Sequence, residues 1–209
     1  MLHSRLFNIT ASIDWKMSKF CANLAFLFPE NSLLEKYKVA KDAGFKAVET
    51  GFPFGITKQQ VVDAKNASGI QQILINIYTG DVTKGELGFA AIPGRENEFK
   101  RSIETTIDYA KALGARNPNL KLMLDIFHLQ LIQGNISNSI KELSEYIGHV
   151  QIAQAPNRNE PNSFGEINYK YVLETLQKEG YNDWIGLEYK PLGDTKDGLK
   201  WIEELGYNL

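Results

Sequence analysis

A chain of 209 residues, 43% apolar and 23% charged, can bury one sizeable core and has the composition of a globular protein. Its formal net charge of -2 leaves no basic stripe for a phosphate backbone, which argues against nucleic acid as a partner. The single cysteine, Cys21, excludes an internal disulfide framework and suits a reducing, cytoplasmic compartment, and no apolar run approaches the roughly 18 residues that suggest a membrane span.

Residues 1–16 stand apart from the rest. They carry two basic residues, one acidic residue and no clear cleavage pattern, so they read as an N-terminal extension: either a disordered tail from an alternative start or an organellar leader. The folded domain is expected over 17–209. Its first strand is Phe20 to Phe26. The capping-box pattern Ser32-x-x-Glu35 opens a helix that Gly44 closes. Ala47–Val48–Glu49 is the second strand, Thr57-x-x-Gln60 opens the next helix, and that helix ends near Gly69. Ile73 to Ile77 is the third strand. After a long loop, Phe99, Ile103, Ile107, Ala110 and Leu113 repeat at helical spacing and Gly114 stops them.

Leu120 to Leu124 is the fourth strand. A helix with Ile140, Leu143 and Ile147 ends at Gly148, Val150 to Ala153 is a strand, and a helix with Val172, Leu173 and Leu176 ends at Gly180. Trp184 to Leu187 is the last strand, and Thr195 caps a final helix with Leu199, Ile202 and Leu205. Strands alternating with helices predict an α/β fold with a parallel sheet and surrounding helices. A (β/α)₈ barrel spends about 31 residues per unit, so six units need about 190. Met17 to Leu209 supplies 193. The expected architecture is therefore a TIM-barrel type with six of eight units, and an open doubly wound sheet is the alternative.

Functional groups of such sheets gather at the carboxyl ends of the strands. Glu49, Asp125 and Glu188 end three strands, and Gln151 lies within a fourth. Three carboxylates and an amide at one rim suit a hard divalent cation, Mg²⁺ or Mn²⁺. The bland reading has each acid capping a helix or pairing with a base. His128 follows Asp125 by three residues and is either a substrate donor or base, or a loop histidine without a role. Arg158, in the loop after its strand, is either a carboxylate clamp or a surface arginine. His149 begins its strand and reads as structural. The apolar loop Gly88–Arg95 is either a lid over the rim or a segment packed on helices or a second subunit, so a homo-oligomer stays open.

Six segments resemble the hydroxypyruvate isomerase family of xylose-isomerase-like barrels: Phe20-Cys-Ala-Asn-Leu24, Gly88-Phe-Ala-Ala-Ile-Pro-Gly-Arg95, Asp125-Ile-Phe-His128, Gly148-His-Val-Gln-Ile-Ala153, Gly165-Glu-Ile-Asn-Tyr169 and Gly186-Leu-Glu-Tyr-Lys-Pro191. The resemblance implies interconversion of hydroxypyruvate and 2-hydroxy-3-oxopropanoate, with Asp125, Gln151 and Glu188 as metal ligands. It makes Glu188 one of two proton-transferring glutamates, and His128 and Arg158 substrate contacts. One departure stands out. Family members carry two further strand–helix units where Ala112-Leu-Gly-Ala-Arg116 here runs into Asn117-Pro-Asn-Leu-Lys121, and the second glutamate sits there in an Ile-Glu-Pro motif absent from this chain. A catalytically impaired isoform, acting through full-length subunits, is the competing reading. A ketose epimerase or a metal-dependent endonuclease of the same barrel class is a third, and the latter would need more ligands than three histidines supply.

Overall fold

The computed structural model describes residues 18–81, 84–86, 88–114 and 121–209. The extension 1–16, the expected start at Met17, the junction Arg116–Asn117–Pro118 and Leu120 lie outside the described residues. The elements are β1 Lys19–Asn23, α1 Leu33–Asp42, β2 Ala47–Thr50, α2 Lys58–Ser68, β3 Gln71–Ile75, α3 Glu96–Ala112, β4 Leu122–Asp125, α4 Ile126–Ile132, α5 Ile136–Leu143, β5 Ile147–Ile152, α6 Tyr169–Lys178, β6 Trp184–Leu187, α7 Thr195–Gly198 and α8 Trp201–Glu204.

Local signals set most boundaries. Ser32 and Glu35 form a complete capping box on α1, as do Thr57 and Gln60 on α2, and Gly69 ends α2 in the left-handed conformation that lacks a penalty only for glycine. β1 stops at Asn23, three residues before the expected Phe26. There the Asn23 side-chain oxygen accepts the Ala25 amide and turns the chain. β3 runs Gln71–Ile75, two residues earlier than expected, and the single expected final helix is two short ones, α7 and α8. Further expectations need correction. Ile147 and Gly148 belong to β5, not to the preceding helix, and the unforeseen α4 is capped by Asp125. Thr195 is the first residue of α7; Asp194 is the cap, and the Thr195 hydroxyl accepts the Phe28 amide instead. The expected apolar face of α3 is only partly covered, with Ile107 46% exposed, because the buried face of this helix carries Ser102 and Thr106.

All strand pairs are parallel, and the sheet order is β3-β2-β1-β6-β5-β4. First and last strands pair in the middle, as in the closure of a barrel, which separates this sheet from the doubly wound 3-2-1-4-5-6 order. The six strands curl into a half-barrel. β3 and β4 form its edges and do not pair; a cavity of about 500 Å³ lies between their amino ends, lined by Gln72, Leu74, Lys121, Met123, His149 and Trp184 among others.

Strand alternation divides the two faces of the sheet. Phe20, Ala22, Val48, Leu124, Val150, Ile152, Ile185 and Leu187 join Tyr37, Leu173, Leu176 and Trp201 in one apolar cluster with the outer helices. Phe20 is held edge-on by Trp201 and Tyr207 at 5.4 and 5.7 Å. The loop Gly88–Arg95 packs on its own flanks. Phe89 is buried, and Arg95 lies 4.2 Å over its ring while pairing with Glu86 and Glu98.

Candidate active site

The concave face of the half-barrel is polar. Cys21 and Asn23 on β1, Glu49 on β2, and His149 and Gln151 on β5 are all buried yet lie outside the apolar cluster. Parallel register brings Asp125, Gln151, Gly186 and Cys21 into one row across β4, β5, β6 and β1, with Asn23 beside Glu49 one step higher.

Glu49 is 0% exposed and sits at the centre. Its Oε1 accepts from Asn23 Nδ2 at 2.8 Å and Gln151 Nε2 at 2.7 Å; its Oε2 lies 2.5 Å from His149 Nε2 and 3.8 Å from Cys21 Sγ. A carboxylate taken out of water needs this many donors. Gly186 makes the arrangement possible: a Cβ there would lie 2.4 Å from Glu49 Oε1, so the bare backbone is the floor on which the carboxylate rests. Burial, and then the Glu49 charge, push the Cys21 thiol well above its ordinary range.

Glu188 follows β6 at the rim. Asn23 Nδ2 also donates to its Oε1 at 3.3 Å, so one amide ties the two glutamates together. Arg158 Nη2 pairs with Glu188 Oε2 at 2.5 Å. Burial raises the Glu188 carboxyl to about 7; Arg158 opposes the rise, and Asp125 and Glu49 add to it. Arg158 is itself over-determined. Its guanidinium lies 4.6 Å from the Phe26 ring centre and 5.0 Å from that of Phe127. Its backbone has φ +60°, a strained value for a non-glycine residue, and is held by Arg158 N donating to Gln154 O and Lys190 N donating to Arg158 O. Asp125 Oδ1 caps α4 by accepting the His128 amide, and its Oδ2 lies 3.6 Å from His128 Nε2; that ring is half exposed at the rim.

Sequence reasoning thus named five residues that the fold gathers at one end of the sheet: Asp125, His128, Gln151, Arg158 and Glu188. It placed Glu49 at the rim, whereas the carboxylate folds inward. It took His149 for the first residue of its strand, whereas His149 is the third residue of β5 and points at Glu49. It gave Asn23 no role. The signal available for Asn23 was its two-residue spacing from Cys21, which puts both on one face of a strand.

The Xylose isomerase-like TIM barrel family model matches residues 115–205. The chain is 32% identical over 259 residues to "Putative hydroxypyruvate isomerase" of Homo sapiens, covering 88% of this chain and 94% of the relative. It is 30% identical over 256 residues to "2-oxo-tetronate isomerase" of Pectobacterium atrosepticum, covering 90% and 97%. Among solved structures it is similar to an AP endonuclease, family 2, from Brucella melitensis, with a TM-score of 0.83 and 28% identity over 90% of this chain and 99% of that one. Since 88% of 209 residues is about 184, about 75 of the 259 positions aligned with the human relative have no residue in this chain.

Proposed function

This chain belongs to the hydroxypyruvate isomerase family, and on that premise we propose that it is an isomerase of small hydroxy-keto acids, interconverting hydroxypyruvate and 2-hydroxy-3-oxopropanoate, with Glu188 as the proton carrier. The observation that carries this reading is the environment of Glu188. It is buried at the rim, pairs with Arg158 and is tied to Glu49 by the Asn23 amide, and without a cation, burial raises its carboxyl to about 7, within reach of proton exchange near neutrality.

In this reading Glu188 removes the proton from the hydroxymethyl carbon and returns it to the neighbouring carbon. In the enediolate between the two steps, one proton passes from the former hydroxyl oxygen to the former carbonyl oxygen, so atoms and charge balance without an oxidant. Arg158 receives the substrate carboxylate through N–H groups not spent on Glu188, with the Phe26 and Phe127 rings fixing its plane. Asn23 holds the Glu188 carboxylate in place. His128 contacts the substrate from the half-exposed rim.

Asp125, Gln151 and Glu188 fit a hard divalent cation, Mg²⁺ or Mn²⁺: all offer oxygen donors, and Asp125 and Glu49 repel a charge on Glu188, a repulsion that a bound cation would relieve. The Gln151 amide nitrogen is engaged by Glu49, which leaves its carbonyl oxygen for the ion. When bound, the cation supplies positive charge opposite the oxygens on which negative charge develops.

A second reading is favoured by the edges of β3 and β4, which have no partner strand among the described residues, and by the roughly 75 unmatched positions. In it the chain is a catalytically impaired isoform that acts by associating with full-length subunits. Turnover of hydroxypyruvate, and of a four-carbon 2-oxo acid, with and without Mg²⁺ or Mn²⁺ separates the two. Metal-dependent turnover that disappears in Glu188→Gln supports the enzyme. A soluble, cooperatively folded chain without turnover sinks it.

A further inference from the structure

We propose that Cys21, Glu49 and His149 form a buried binding site for a thiophilic divalent cation of the Zn²⁺ class, separate from the oxygen donors at the rim. One sulfur, one oxygen and one nitrogen, each able to ligate a metal, all lie within 4.8 Å of one another, and this is the one such group of three among the described residues. Tetrahedral zinc, with bonds of about 2.0–2.3 Å, holds its ligands roughly 3.2–3.7 Å apart. The Sγ–Oε2 separation of 3.8 Å already suits that geometry, and the Oε2–Nε2 separation of 2.5 Å has to open by about 1 Å.

The surroundings support an ion there. The three ligands come from β1, β2 and β5, so sheet register, not a loop, sets their spacing. Asn23 and Gln151 both bind Oε1 of Glu49 and leave Oε2 facing the sulfur and the imidazole, the kind of outer hydrogen bonding that orients a metal carboxylate. Charge also closes: a thiolate, a carboxylate and a neutral imidazole cancel two positive charges, as a buried site requires. Entry is from the amino ends of the strands, where the 500 Å³ cavity between β3 and β4 reaches His149. That is the end of the sheet opposite the rim. Binding breaks the Cys21 S–H bond, forms a metal–sulfur bond and releases one proton to solvent; nothing is oxidised. Water from the cavity side completes the coordination. Soft and borderline metals prefer this donor set, and Mg²⁺ does not.

The test uses the full chain, stripped of metal by a chelator and titrated with Co²⁺. Cys21 is the only cysteine, so a thiolate-to-cobalt charge-transfer band in the near ultraviolet reports this site alone. The expected result is a band that saturates at one equivalent and is abolished by Zn²⁺. Cys21→Ser loses the band, and His149→Asn weakens Co²⁺ binding at least tenfold. The double variant Asp125→Asn/Glu188→Gln keeps the band, which separates this site from the rim whether or not the chain turns over substrate. A second measurement needs no substitution: Zn²⁺ should slow modification of Cys21 by a thiol reagent at least tenfold in the native chain. Absence of the charge-transfer band at saturating Co²⁺, its survival in Cys21→Ser, its loss in the rim double variant, or unchanged thiol reactivity under Zn²⁺ overturns the proposal.

Discussion

Gly186→Ala is the sharpest probe of the buried network. The residue lies in β6, a strand position that alanine adopts freely, so any penalty is steric. A Cβ there falls 2.4, 2.5 and 2.6 Å from Oε1, Oε2 and Cδ of Glu49, well inside contact distance. The carboxylate must move, and it cannot move without leaving Asn23, Gln151 and His149. Overpacking of this kind costs about 1–3 kcal/mol. Leaving a buried charged acceptor and its donors unpaired adds about 1–3 kcal/mol. The expected loss is therefore roughly 2–6 kcal/mol, a large part of the about 5–15 kcal/mol that holds a domain together. Urea unfolding followed by circular dichroism measures it. The same substitution in a Glu49→Ala background should cost less than about 1 kcal/mol, because the space is then free. An equal cost in both backgrounds, or a loss below about 0.5 kcal/mol in the native one, would refute the argument.

Further outcomes follow from the rim and the caps. Arg158→Lys keeps the charge but loses the planar contact with Phe26 and Phe127. If the chain turns over substrate, kcat/KM should fall at least tenfold with little change in unfolding midpoint; retained activity would remove Arg158 from the substrate site. Glu188 binds its proton more tightly folded (about 7) than unfolded (4.5). In chelator its contribution therefore stabilises the fold at pH 5 and is lost as pH rises through 7, a few kcal/mol at most at about 1.4 kcal/mol per pKa unit. The stability difference between native chain and Glu188→Gln should accordingly fall from pH 5 to pH 8, and parallel pH profiles would contradict it. Thr57→Ala removes the hydroxyl that accepts the Gln60 amide and should cost about 1 kcal/mol by urea unfolding; no measurable change would mean that the capping box of α2 carries no stability.

Much of the scaffold was legible residue by residue. The boxes at Ser32 and Thr57, the stop at Gly69 and the strand Trp184–Leu187 act through neighbours a few positions apart, so a linear reading finds them. Counting units gave six strands, and strand positions singled out Asp125 and Glu188 at strand ends and Gln151 within its strand. The same local reading failed at Ile147, where one apolar residue fits the end of a helix pattern and the start of a strand equally well, and at Thr195, where Asp194 captured the cap. It also misjudged α3, whose apolar residues are set by spacing but whose covered face is set by the elements that pack on it.

Sequence alone therefore determined the six strands, their order, most of the helices and the family to which the strand-end motifs point. Tertiary structure decided which strand lies beside which: β1 against β6, with β3 and β4 left apart around a cavity. It also decided that Glu49 turns inward over Gly186, that Asn23 joins it to Glu188, that His149 faces it and that Arg158 rests on Glu188. The physical reason is separation along the chain. Asn23 and Glu188 are 165 residues apart, Glu49 and His149 are 100, and only the curl of the sheet brings such groups within hydrogen-bonding distance.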